Sequence, residues 1–230
     1  MNAPSHSIID SIDSKVDVPV EKDEMVEKAV NKYPLHFGDF TKLNSTVEKL
    51  KSQVPLLAPS QIDLVLQRLL QTHYEDGSDI SLYISVLIQK SYDAGHNGFV
   101  LHTQNVPLSY LCSHIEGREG RLLSMTVHGD TDNVTGSGSK WCSLRQEGNA
   151  EDWYFQSAEH SKIFITGSLG YAPLTNSEGI LFKTANKGAF DCVKNAVEKK
   201  ESRISDCKLY LIDPAGNALS ERRYPSEVVK

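Results

Sequence analysis

Between residues 122 and 188 the hydrophobic and polar positions alternate in short segments that recur every 19 residues. Gly129, Gly148 and Gly167 each close one segment, and Asn186 falls one step further on. Four residues before these markers stand Met125, Leu144, Ile163 and Phe182, apolar throughout. Flanking them two residues away are Val127, Gln146, Ile165 and Thr184, and Leu123, Cys142, Ser161 and Ile180, mostly apolar or small. The intervening positions are Thr126, Arg145, Phe164 and Lys183, with His128, Glu147, Thr166 and Ala185 beside the marker. Period-2 alternation places the first three sets inward and the last two outward.

A short strand cannot bury such a face alone. A fixed period with one strand and one turn per repeat predicts a solenoid, whose coils stack about 4.7–4.9 Å apart and pair their strands in parallel. Glycine at the marker suits a sharp turn with φ > 0, and Asn186 is the substitute that best tolerates that conformation. Ser139, Ala158 and Ser177, ten residues after each marker, suit a tight inner corner. An antiparallel meander also gives evenly spaced hairpins, but here the columns agree in residue type as well as in spacing.

The segments Gly129-Asp-Thr, Gly148-Asn-Ala and Gly167-Ser-Leu-Gly170, each behind an alternating strand, resemble the GXGXG repeat family. That family forms a right-handed β-helix at the C-terminal end of the glutamate synthase large subunit and in one component of formylmethanofuran dehydrogenase. The resemblance spans about residues 122–188; the family's second turn glycine is Asp132 and Glu151 here and survives as Gly170. It implies a domain that supports or connects catalytic parts without carrying chemistry. The expected fold is therefore α+β, mainly β: a parallel right-handed β-helix with 19-residue coils, capped by an N-terminal α-helical segment.

The flanks supply the cap. Residues 1–22 mix Ser, Asp, Val and Pro without period and predict a disordered acidic tail. Helices are predicted over Glu24–Lys32, Thr41–Gln53, Gln61–Tyr74 with Ser60 as N-cap, and from Asp79 to about Gly95. These make a helical cap over 23–95, with the β-helix over 96–230. Phe99-Val-Leu101 and Val106-Pro-Leu108 predict strands of a degenerate first coil. A helix over about 189–200 interrupts the repeats before a last strand, Lys208–Ile212.

Composition narrows the function classes. A net charge of −6 without a basic stripe excludes nucleic acid as the main partner. No run of 18 apolar residues exists, so no membrane span is expected, and a cytoplasmic location follows from the absence of a secretory pattern. Cys112, Cys142, Cys192 and Cys207 form no CxxC pair and are expected as free thiols.

Candidate chemistry is sparse. His128 and Glu147 hold equivalent positions on adjacent repeats, where a carboxylate beside an imidazole forms either a proton shuttle or a surface ion pair. His114, His128 and His160 are individual candidate ligands, but the histidines do not recur at 19 residues; no metal and no cofactor is expected. The turn positions Asp130, Asn149 and Ser168 offer cross-repeat hydrogen bonds or a cation site. Gly136-Ser-Gly138 lacks the helix and the Lys that a phosphate loop requires. Trp153, Tyr154 and Phe155, three consecutive aromatics in a turn segment, predict an exposed partner-binding patch. The leading expectation is a non-catalytic β-helical scaffold or interaction subunit with a protein partner or a second copy of itself. The alternative is an enzyme or ligand-binding protein that uses a cleft between cap and first coils, with His96, His102, His114 and His128 as candidate groups.

Overall fold

The computed structural model describes residues 23–33, 43–73, 77–104, 106, 108–198 and 203–224. The acidic tail expected over 1–22 lies outside them, as do the expected ends of two helices at Tyr74 and Lys200. The helices are α1 (Glu24–Val30), α2 (Leu43–Gln53), α3 (Pro59–Thr72), α4 (Gly77–Asp93) and α5 (Lys187–Glu198). The strands are β1 (Phe99–His102), β2 (Leu123–His128), β3 (Cys142–Glu147), β4 (Lys162–Ile165), β5 (Leu181–Thr184), β6 (Cys207–Ile212) and β7 (Ala218–Tyr224).

These elements correct the expected fold class. The strands form one seven-stranded mixed sheet in chain order, and with five helices the arrangement is of α/β type, not a mainly β right-handed β-helix. Helical residues outnumber strand residues among the elements described. The turn half of each repeat holds only isolated bridges, such as Thr131 with Ala150 and Lys140 with Glu159, and no second run of extended strand. The last pair, β6 with β7, is antiparallel. The repeat rule, weighted by its period, undervalued the helices and missed this hairpin.

Parallel pairing from β1 to β6 follows the 19-residue register through the middle of the sheet. Met125 lies opposite Leu144, Leu144 opposite Ile163, and Ile163 opposite Phe182. Phe99 and Leu209 extend this column to β1 and β6. All six side chains are buried, each contributing about 1.5–3 kcal/mol by its removal from water. Gln146, one of two polar members of the adjoining column with Thr184, is buried and donates from Nε2 to the Gly129 carbonyl at 2.6 Å.

The marker residues hold the repeats close for different reasons. Gly129 has φ +110°, the expected left-handed turn. At Gly148 and Gly167 the reason is contact: a Cβ on Gly148 would overlap the Gly129 carbonyl, and one on Gly167 the Gly148 carbonyl. Asn186 is not a left-handed turn residue. It caps α5, its Oδ1 accepting from the Ala189 N–H at 3.1 Å. Ser139 and Ser177 fill the inner corner, donating to the Cys112 and Phe155 carbonyls at 2.7 Å each.

The two edges of the sheet are protected in different ways. α3 lies along β1, where Asp63 Oδ1 accepts from the His102 N–H at 2.8 Å and Gln67 Nε2 donates to the His102 carbonyl at 2.5 Å. β7, bearing Glu221, Arg222 and Arg223, pairs with β6 at the far edge; charged edges resist pairing with another chain. Within the cap, α3 starts at Pro59 with Ala58 as N-cap, so Ser60 is not the cap; Gln61 Oε1 accepts from the Ala58 N–H at 2.8 Å. α4 begins at Gly77, which puts Asp79 inside its first turn. Leu108 makes an isolated parallel bridge to Thr131, while Pro107, in the strand expected over Val106–Leu108, lies outside the described residues.

Gly167→Ala should cost at least as much as the cavity-forming Ile163→Ala, about 2–5 kcal/mol, because its methyl meets backbone that cannot move without breaking the register. Urea unfolding of both variants checks this; a Gly167→Ala chain as stable as wild type would show that the close approach is not needed.

Candidate functional site

Three regions concentrate the candidate residues. The first is the open face of the sheet. His102, His128 and Glu147 lie opposite one another on β1, β2 and β3. His128 Nδ1 is 2.8 Å from Glu147 Oε2, so the pair expected from the sequence forms. His102 Nδ1 meets Asp63 Oδ2 of α3 at 2.9 Å, and the two imidazoles stack with centroids 4.8 Å apart and planes 18° apart. Arg145 Nε donates to Glu147 Oε1 at 2.5 Å while its guanidinium lies 4.7 Å from the centre of the Phe164 ring. The Arg145 hydrogen bond, first, and the charges of Arg145 and His128 hold the Glu147 carboxyl below its ordinary value. Asp63 was not legible as a member, because only the packing of α3 on β1 brings it there.

The second region is a cleft between α2, α4 and the segment 113–118. It encloses about 320 Å³ and is lined among others by Lys51, Ser85, Asp93, His114, Glu116 and Arg118. Lys51 and Asp93 pair across it at 2.5 Å, and Gln89 holds its floor by exchanging hydrogen bonds with the Glu116 backbone. Of the four histidines expected there, only His114 lines it. Protein packed around that ring disfavours its charged form, although its edge stays exposed. His102 and His128 lie on the sheet, and His96 is exposed in the segment after α4, where its carbonyl accepts from Arg121. His160 stacks on Trp141 at 4.4 Å. The four do not converge.

The third region is the turn face. Asp130 Oδ1 accepts from the Asn149 N–H at 2.7 Å, and Asn149 Oδ1 from the Ser168 N–H at 3.0 Å, so this ladder serves cross-repeat hydrogen bonding. Beside it runs a groove of about 540 Å³ lined by Asp130, Asn149, Glu151, Asp152, Ser168 and Gly170, among others. A hydrogen bond with Asp132 and the repulsion of that carboxylate, with Asp152 and Asp130 adding, raise the Glu151 carboxyl above its ordinary value. Among the described residues no Lys or Arg forms an ion pair with these four carboxylates.

Trp153 and Tyr171 follow directly on Asp152 and Gly170. Their rings meet edge to face at 6.0 Å and are 38% and 65% exposed. Tyr154 and Phe155 are 1% and 0% exposed, which corrects the expected three-residue patch. Positive φ at Trp153 and Phe155, but not at Tyr154, turns the intervening segment so that two of the three rings enter the core. Sequence spacing carried no sign of these φ values, and Tyr171 was missed for want of an aromatic neighbour.

Among the described residues no group of three or more His, Cys, Asp or Glu is arranged to hold a metal ion, and no helix is long and apolar enough to cross a membrane. All four cysteines are free thiols, and burial pushes Cys142 and Cys207 up to about 12, which leaves them un-ionised and unreactive at neutral pH. The chain matches no family model, and no curated protein or solved structure is similar to it at a significant level. The likeness of the Gly129, Gly148 and Gly167 turns to the GXGXG repeat rests on those residues alone.

The Glu151 shift has a sign that can be measured. A carboxyl whose folded value is raised contributes its full stability below the unfolded value and loses it as pH rises through the folded one. Glu151→Gln should therefore raise the melting temperature at pH 7, with the gain vanishing below the ordinary carboxyl value of 4.5. A gain that persisted at pH 3 would assign the effect to packing instead of charge.

Proposed function

We propose that this protein is a non-catalytic interaction module that binds a basic, extended segment of a partner protein along the turn-face groove. The observation that carries this reading is the exposed Trp153–Tyr171 pair at the end of a groove whose carboxylates have no cationic partner among the described residues. A partner's Lys or Arg relieves the repulsion among Asp130, Asp132, Glu151 and Asp152, and its aliphatic stem or guanidinium covers the aromatic faces. The rigid stack beneath lowers the ordering cost of binding, since the groove residues are already held by cross-repeat hydrogen bonds.

The second reading, a small-ligand protein, is favoured by the cleft under α2 and α4. Its volume of about 320 Å³ suits a compact polar molecule, and Lys51, Asp93, Glu116 and Arg118 offer both signs of charge. The groove is preferred because its charge is uncompensated, whereas Lys51 and Asp93 already neutralise each other in the cleft.

Selection from a library of 12-residue peptides on the full chain tests the proposal. Enriched sequences should carry Lys and Arg, and raising salt from 50 to 500 mM should weaken them. Trp153→Asn, which removes the indole while tolerating φ +58°, should cost at least tenfold in affinity. The double variant Glu151→Gln with Asp152→Asn should do the same. Peptides without basic bias, or binding indifferent to both variants, would reject the groove and leave the cleft as the site to probe.

A further inference from the structure

His102 and His128 stand side by side on the sheet with one ring nitrogen each already taken. The parallel register sets their Cα atoms opposite one another on β1 and β2. Each Nδ1 faces a carboxylate, Asp63 at 2.9 Å for His102 and Glu147 at 2.8 Å for His128. A carboxylate on Nδ1 keeps the proton on that nitrogen and leaves the Nε2 lone pair available, as in the carboxylate–histidine–metal arrangement in which outer carboxylates orient the ligands and raise their basicity. Neither Nε2 has a hydrogen-bond partner among the described contacts. The rings stack with centroids 4.8 Å apart and planes 18° apart, so their in-plane Nε2 lone pairs run side by side. The side chains must rotate out of the stack to turn both Nε2 atoms to one ion at about 2.0–2.1 Å from each. Both side chains are about half exposed, which leaves them room to rotate and leaves water room to complete the coordination.

We propose that His102 and His128 form a two-imidazole site for a divalent first-row transition ion of the Cu²⁺ or Zn²⁺ kind. Asp63 and Glu147 are its orienting carboxylates and water fills the remaining positions. Imidazole nitrogen selects these ions over Mg²⁺ and Ca²⁺, and among them the ordinary affinity order favours Cu²⁺. The site joins three elements, since Asp63 belongs to α3, His102 to β1 and His128 to β2. It is independent of the turn-face groove and survives or fails apart from it.

Titration of the full chain with CuCl₂ and with ZnCl₂ at pH 7.5 tests this, alongside electron paramagnetic resonance of the Cu²⁺ form. One saturable ion per chain and a nitrogen splitting from two imidazoles are expected. His102→Ala and His128→Ala should each lower affinity at least tenfold. Glu147→Gln should lower it about 10–100-fold, the range for outer-shell carboxylates. Each variant's melting curve verifies that it is folded, and His128→Gln repeats the test should His128→Ala fail to fold. The site is rejected if the folded double variant His102→Ala with His128→Ala binds as wild type does. It is rejected equally if wild type shows no saturable binding up to 1 mM ion, a range chosen at about the weak limit of specific affinity, the imidazoles then serving only as ion-pair partners.

Discussion

The structure depends on how closely one repeat lies on the next at the glycine turns. Gly148 and Gly167 each face the carbonyl of the preceding marker with no room for a side chain. That approach sets the register, and the register decides everything above and below it. Because the offset stays at 19 residues from β2 to β5, each position in the repeat becomes a column in space. Inward columns become core. Outward columns become ladders in which every side chain has its equivalents as nearest neighbours, one strand spacing away.

Ladders of this kind magnify the sign of whatever stands in them. Arg145 beside Phe164, Lys183 5.6 Å from the Tyr210 ring, and His128 beside Glu147 are mutually favourable. Buried Ser139 and Ser177, each bonded to a backbone carbonyl, satisfy polar atoms that a corner without water would leave costly. The carboxylates of the turn face go the other way, and Glu151 titrates high because Asp132, from the preceding repeat, is in reach. A like-charge cluster lowers stability at neutral pH; Asp130 and Asp152 offset part of this by accepting backbone N–H groups of the next repeat, a role that Asn149 fills in the same ladder without charge.

The columns were legible in the sequence because parallel stacking converts a period directly into adjacency. His128 beside Glu147 followed from that alone. What the period could not convey was set by contacts distant in the chain. Asp63 reaches His102 only because α3 covers the β1 edge, where its Oδ1 and the Gln67 amide satisfy backbone groups that no seventh parallel strand supplies. β7 is an exposed edge strand that carries Glu221, Arg222 and Arg223 in place of an apolar face, and so left no hydrophobic trace. The fold class was misjudged for a related reason: the helical residues carry ordinary amphipathic patterns, and the repeat drew weight away from them. Gly129 and Gly148 look alike in sequence, yet one is required for its φ and the other for the carbonyl beneath it.

Departures from the repeat are the places where folding alone does not account for the residue. Val134, Trp153 and Ala172 hold the same position in successive repeats, and all three have φ between +54° and +64°. A β-carbon meets the same conformational penalty at each, so the backbone gives no reason to prefer an indole to a methyl. Burial gives none either, since Trp153 is exposed and its ring contact is with Tyr171, which is more exposed still. Tyr154 and Phe155 next to it are accounted for by the core. Trp153, 38% exposed beside four carboxylates that have no cationic partner among the described residues, is therefore the departure from the repeat on which the proposed binding groove rests.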